Sequence, residues 1–193
     1  MTNYSKPIIF CDWYGVLSES HIFEGTQVDI KSSIEEIIFE DSKKLLKQGC
    51  LEFNGIQFCN QIAQKLGLNS DQIEEYYKNG WNNVTWNQEL LIYLQNFRTD
   101  YFLVLISDNF EEFNITVAPR LRDFFDEIHC SFQLGYLKSD PNNPFYKNTA
   151  KRLNSDIREA ILIDDTKQNR EIFATFGKAT FESIQELRNQ SQS

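Results

Sequence analysis

The sequence predicts an α/β fold, a three-layer parallel-sheet core interrupted by one all-helical insertion, and three observations carry that prediction. Short apolar runs alternate with amphipathic stretches along most of the chain. Each apolar run stops at a polar, turn-forming residue. A long block after the first run keeps helical periodicity throughout and contains no convincing strand. Parallel neighbours need crossover connections, and the amphipathic stretches supply them on both faces of the sheet.

Taken in order, residues 7–11 read as a buried strand that stops at Asp12-Trp13-Tyr14-Gly15, with Gly15 in the turn. Residues 18–91 carry the helical block. Its apolar positions recur as Ile34, Ile37, Ile38, Leu45 and Leu46, then Ile56, Cys59, Ile62, Ala63 and Leu66, then Ile73, Tyr76 and Tyr77. Gly49, Gly55, Gly67 and Gly80 read as helix stops or turns. Residues 89–97 read as helix, 101–106 as a strand ending at Ser107-Asp108-Asn109, and 128–132 as a further short strand. Residues 144–153 read as helix and 160–163 as a strand ending at Asp164-Asp165. A helix over 169–176, ended by Gly177, leads to a last strand at 179–181, and the polar tail, residues 185–193, is expected to fray at its end. The core is thus assigned to residues 1–17 and 92–193, and an inserted helical cap over the strand ends to residues 18–91.

The chain of 193 residues has room for one well-buried domain with such an insertion. Its 28 acidic against 19 basic residues give a net charge of −9, without a run of clustered Lys and Arg. Phosphate backbones and anionic lipid are therefore disfavoured partners, which leaves a small-molecule substrate; oligomeric state stays open. Cys11, Cys50, Cys59 and Cys130 have no CxxC spacing, so zinc is disfavoured. No basic, apolar leader begins the sequence, and a reducing cytoplasm is the expected setting.

The candidate chemistry sits where strands end. Asp12, Ser107 and Asp164-Asp165 each follow an apolar run directly, and open parallel sheets bind ligands beyond their carboxyl ends. Carboxylates gathered on one edge repel one another unless a cation lies among them, and such oxygen-rich sites suit magnesium. In this pattern Asp12 is the candidate nucleophile, and Ser107 donates to phosphoryl oxygens. Lys138 balances charge on the nucleophile and the transferring group.

The strings Phe10-Cys11-Asp12-Trp13-Tyr14-Gly15, Ile106-Ser107-Asp108-Asn109, Gly135-Tyr136-Leu137-Lys138-Ser139-Asp140-Pro141 and Ile163-Asp164-Asp165-Thr166 with Asn169 resemble the four ordered motifs of the haloacid dehalogenase superfamily. The likeness covers nearly the whole chain and is to the branch with a helical cap between the first and second motifs. It implies a Rossmann-like core and usually magnesium-dependent phosphate hydrolysis through an aspartyl nucleophile. It also implies a metal held by Asp12, the Tyr14 backbone carbonyl, Asp164 and Asp165, and a substrate lined by Trp13, Asp108 and Asn109.

Three departures stand out. Tyr14 occupies the position where family phosphatases usually carry a second aspartate as general acid and base. Tyrosine there is typical of the dehalogenase members, but those use a cap arginine for the halide, and this chain has none between residues 18 and 97. Asp108 stands where asparagine is common. The leading expectation is a phosphatase of a small phosphorylated metabolite. The alternatives are a haloacid dehalogenase-like hydrolase and a degenerate member that binds without turnover.

Taken singly, each residue has a plainer reading. Asp12 fits a turn, Ser107-Asp108-Asn109 and Asp164-Asp165 fit helix caps, and Lys138 fits a surface lysine. Asp140, His21 and His129 read as structural, Trp13, Trp81 and Trp86 as packing between core and insertion, and Lys43-Lys44-Lys47 as a solvated helix face.

Overall fold

The structure, a computed structural model, describes residues 5–190 except 21, 24, 25, 141 and 142, and of residues 39–43 only the backbone. The expected place of His21 lies outside the described residues. Five strands form one parallel sheet: β1 (Ile8–Asp12), β2 (Phe102–Ser107), β3 (Glu127–Cys130), β4 (Ile161–Ile163) and β5 (Ala179–Phe181), in the order β3-β2-β1-β4-β5. Strand β1 lies at the centre and pairs Ile8 with Phe102 on one side and Ile9 with Ile161 on the other. Every residue of β1 is buried, as a strand covered on both faces requires.

Two apolar clusters mark the two faces, and alternation along the strands assigns residues to each. Ile9, Cys11, Leu103, Leu105, Ile161 and Ile163 point to one. That face is covered by α4 (Gln88–Gln95), a π turn at Phe113–Val117 leading into α5 (Ala118–Leu121), and α9 (Ile184–Gln190). Ile8, Phe10, Val104, Ile106 and Leu162 point to the other, against α7 (Phe145–Arg152) and α8 (Lys167–Phe173). The three layers are those expected. Pro119, which has no N–H and crowds the carbonyl four residues back, accounts for the wide turn ahead of α5.

Between β1 and β2 the chain forms α1 (Val28–Leu51), α2 (Gly55–Leu66) and α3 (Ser70–Asn82). Asn54 and Gln57 make a reciprocal capping box at α2, Asn69 caps α3, and Gly67 closes α2 in the left-handed conformation at φ 67°. Gly49 and Gly80, expected as stops, instead lie inside α1 and α3. At Gly49 the reason is packing: a Cβ there would lie 2.1 Å from Phe110 Cε1. Phe110, just beyond β2, stacks on Phe58 at a centroid distance of 4.6 Å and also meets Tyr77 and Trp81. The insertion and the sheet thereby share one apolar cluster.

The strand bound at 128–132 is corrected, and the tail carries a helix, while its expected frayed end lies outside the described residues. The strand at 128–132 ends at Cys130, and Ser131–Leu134 turns into a short helix α6 closed by Gly135 at φ 76°. The tail is helical to Gln190 because Ile184 and Leu187, one turn apart, are buried against the sheet face. All four cysteines are buried and free. Among the described residues no helix is long and apolar enough to cross a membrane.

Candidate active site

The site is assembled by the carboxyl ends of the central strands. Asp12 is the last residue of β1, Ser107 the last of β2, and Asp164 follows β4, whose neighbour β5 accepts the Asp164 N–H at the Phe181 carbonyl. From β1 the chain runs to β2 and β3 on one side and then crosses to β4 and β5 on the other, and this reversal beside β1 opens the crevice where Asp12 stands.

Lys138 is the hub. Its ammonium, only 3% exposed as a side chain, lies 2.5 Å from Asp12 Oδ2 and 2.8 Å from Asp164 Oδ2. Its backbone N–H donates to Asp108 Oδ1 at 2.9 Å. The loop that delivers it is fixed from within: Asp140 accepts the Leu137 N–H, and Asn143 donates to the Leu137 carbonyl. Asp140 is thus structural, as read from the sequence.

Asp164 is fully buried and fully engaged. Asn169 Nδ2 lies 3.1 Å from each of its oxygens, and the Thr166 N–H donates to Oδ1 at 2.9 Å. Arg170 donates to the backbone carbonyls of Asp164 and Asp165 at 2.6 and 2.7 Å, and so pins the acidic pair from outside. Asp165 is exposed and leans over Gly15, where a Cβ would lie 2.3 Å from its Oδ2. Gly15 has φ 80°, so this position demands glycine both for the turn and for the approach of Asp165.

Burial pushes the Asp12 carboxyl well above its usual range; the charges of Asp164 and Asp108 add to the shift and Lys138 opposes it. Asp108 is raised by burial in the same way. Burial alone would lower Lys138, but Asp12, Asp164 and Asp108 override it and hold the ammonium well above the ordinary lysine value. One cation thus faces a surplus of carboxylates, the condition under which a further cation is drawn in.

One oxygen from each of Asp12, Asp164 and Asp165 falls within 4.8 Å of the others. An all-oxygen set of this spacing, with Gly15 leaving room for Asp165, fits a hard divalent ion.

The remaining expected residues are placed as follows. Tyr14 is 45% exposed beside this cluster. Burial raises its phenol, with Glu35, Asp165 and Glu19 adding to the shift, so it stays protonated near neutrality. Trp13 is 2% exposed and packs edge-on against Trp86 and Phe113; its backbone N–H donates to Asp12 Oδ1 at 2.7 Å. It packs the junction between core and insertion. The Asn109 side chain accepts the Phe110 N–H and donates to Ser107 Oγ at 3.3 Å, which makes it a positioning residue for Ser107. His129 pairs with Glu127 at 2.8 Å and packs on Phe145, a structural role.

Two residues that matter were not singled out from sequence. Arg170 had a signal, a basic residue in the helix after the acidic pair, but its acceptors are backbone atoms. Ser131 had none: its hydroxyl accepts the Asn109 N–H at 2.9 Å and donates to the Cys50 carbonyl at 3.1 Å, joining three segments distant in sequence.

No protein-family model matches the chain, and no curated protein does. Solved structures do. A predicted HAD-like family hydrolase from Porphyromonas gingivalis superposes with TM-score 0.72 at 17% identity, over 97% of this chain and 98% of its own. A HAD family enzyme from Bacteroides thetaiotaomicron, in complex with magnesium and inorganic phosphate, gives 0.66 at 17%, over 92% and 93%. An L-2-haloacid dehalogenase gives 0.68 at 15%, over 98% and 100%. With three of the four motifs at strand ends, the third in the loop after α6, and matches of this extent, the chain has the fold of the haloacid dehalogenase superfamily.

Proposed function

We propose that the protein is a hydrolase, a magnesium-dependent phosphatase of a small phosphorylated metabolite that works through an aspartyl-phosphate on Asp12. The observation that carries this reading is the convergence of Asp12, Asp164 and Asp165 within 4.8 Å, with the Lys138 ammonium between the first two. A structural neighbour solved with magnesium and inorganic phosphate supports it. Asp12, Asp165, the Tyr14 carbonyl and, behind them, Asp164 would hold the ion, which when bound neutralises the carboxylates and polarises phosphoryl oxygens. Helices α1 to α3 serve as the cap in this reading, and the four buried thiols suit a reducing cytoplasm.

The protein's own groups divide the work. A carboxylate oxygen of Asp12 attacks phosphorus as the bond to the leaving oxygen breaks, and water then opens the acyl phosphate. Lys138 holds Asp12 in place and faces the charge of the transferring group. Ser107, aligned by Asn109, donates to a phosphoryl oxygen. The Tyr14 phenol stays protonated and is no base near neutrality. Opening of the acyl phosphate therefore lacks a carboxylate at that position and is the slow half-reaction.

The test is hydrolysis of an aryl phosphate with and without magnesium, by the native chain and by Asp12→Asn. Magnesium-dependent turnover, with an initial burst of phenol equal to the enzyme and none in the variant, is the expected result. Absence of turnover despite magnesium binding would defeat the reading and favour a binding protein. A second reading, attack of Asp12 on a halogenated carbon without metal, is favoured by Tyr14. It is opposed by the Asp164-Asp165 pair and by the lack of arginine between residues 18 and 97. Halide release from a 2-haloacid tests it in the same samples.

A further inference from the structure

A groove of about 360 Å³ runs from the Asp12 loop toward the start of α4. Gly15, Glu19 and Ser20 line one side, and Thr85, Trp86 and Asn87 the other. Its Gly15 end touches the site, because Asp165 leans over that glycine. The hydroxyls of Ser20 and Thr85 lie 2.9 Å apart across it, so its sides are bridged near the Asp12 loop. Glu19 is the one ionisable side chain among the described residues that line it, and it is exposed.

Among the described residues, three cations near the site are directed elsewhere. Lys138 is enclosed between Asp12 and Asp164. Arg170 serves two backbone carbonyls and Glu182. Arg120 stacks over the Trp86 ring at 4.4 Å and does not line the groove.

We propose that this groove receives the leaving half of the substrate as an ammonium-bearing alcohol and rejects a leaving group with a second anion, with Glu19 the residue that reads the charge. This deepens the phosphatase reading and rests on it. A carboxylate and two hydroxyls form a set that favours an alkylammonium, through charge and hydrogen bonds. An anion there meets Glu19 without a cation among the described lining residues. Near a protein surface a reversal of sign at such range changes binding about tenfold to a hundredfold.

The test is kcat/KM of the full chain with magnesium at low salt on three phosphate esters of one size: phosphoethanolamine, 2-hydroxyethyl phosphate and phosphoglycolate. The expected order falls in that sequence, with a ratio of tenfold or more between first and last. Glu19→Gln should narrow the ratio at least threefold, and 0.5 M salt should also narrow it. Phosphoglycolate used as well as phosphoethanolamine, or a ratio untouched by Glu19→Gln, overturns the proposal. An aryl phosphate hydrolysed alongside three equally used esters would sink this inference alone; hydrolysis of none would sink the phosphatase reading with it.

Discussion

The site and the junction between sheet and insertion meet at Asp108 and Phe110, two residues apart, yet they are built on opposite principles. Around Lys138 the contacts are charged, and the exposed member, Asp165, is held by the Arg170 guanidinium on its carbonyl and by the Thr166 hydroxyl, which donates to its Oδ1 at 3.3 Å. Around Phe110 the contacts are aromatic: Phe58, Tyr77 and Trp81 surround it, and the Tyr77 hydroxyl donates to Glu112 at 2.6 Å. The difference teaches where stability and reactivity are kept. The junction gains from buried apolar area, whereas the site holds carboxylates that favour the fold only while Lys138 or a metal balances them.

Removing that balance should give the largest effect. Lys138→Met leaves Asp12 and Asp164 buried without their cation, so urea denaturation should show a loss of about 3–5 kcal/mol. Turnover should vanish with it, and magnesium should restore part of the stability but not the activity. An unchanged urea midpoint would mean that the carboxylates are balanced some other way. At the junction, Phe110→Ala should lower stability by about 3–5 kcal/mol through the cavity it opens. The folded fraction should keep most of its turnover, and a rate loss matching that of Lys138→Met would erase the distinction between the two regions.

The smallest effect is alkaline. Burial raises the Cys59 thiol to about 12 and pushes Tyr77 well up, with Glu112 adding to the latter. In the unfolded chain these groups ionise near 8.5 and 10, so above those values the unfolded state sheds protons that the folded state retains. Stability should therefore fall as pH rises from about 9 to 12, by at most about 1.4 kcal/mol per pH unit for each group. Cys59→Val should flatten part of that slope in urea titrations at pH 8 and 10.5. A slope unchanged by the substitution would place the alkaline sensitivity outside the junction.

The site was legible in the sequence to a degree that the junction was not, and the reason is physical. Asp12, Ser107 and Asp164 each end an apolar run, so one dimension already places them on one edge of a sheet. Phe110 meets Phe58 across 52 residues, and nothing local in either segment announces the other. Gly49 and Gly80 misled for the same cause, since a glycine kept for close packing looks in sequence like a glycine kept for a turn. The helix at the start of the tail was not singled out because polar residues outnumber Ile184 and Leu187 there, although the spacing of that pair already marked a buried stripe.

The central place of β1 bears on how the chain folds. Its partners lie far along the sequence: Ile8 pairs with Phe102, and Ile9 with Ile161. During synthesis the strand that ends in Asp12 must stay unpaired while more than ninety further residues are added. The helices that follow it make local contacts and can form meanwhile. Nucleation should therefore begin in the helical hairpins, and closure of the sheet should be the slow, aggregation-exposed step.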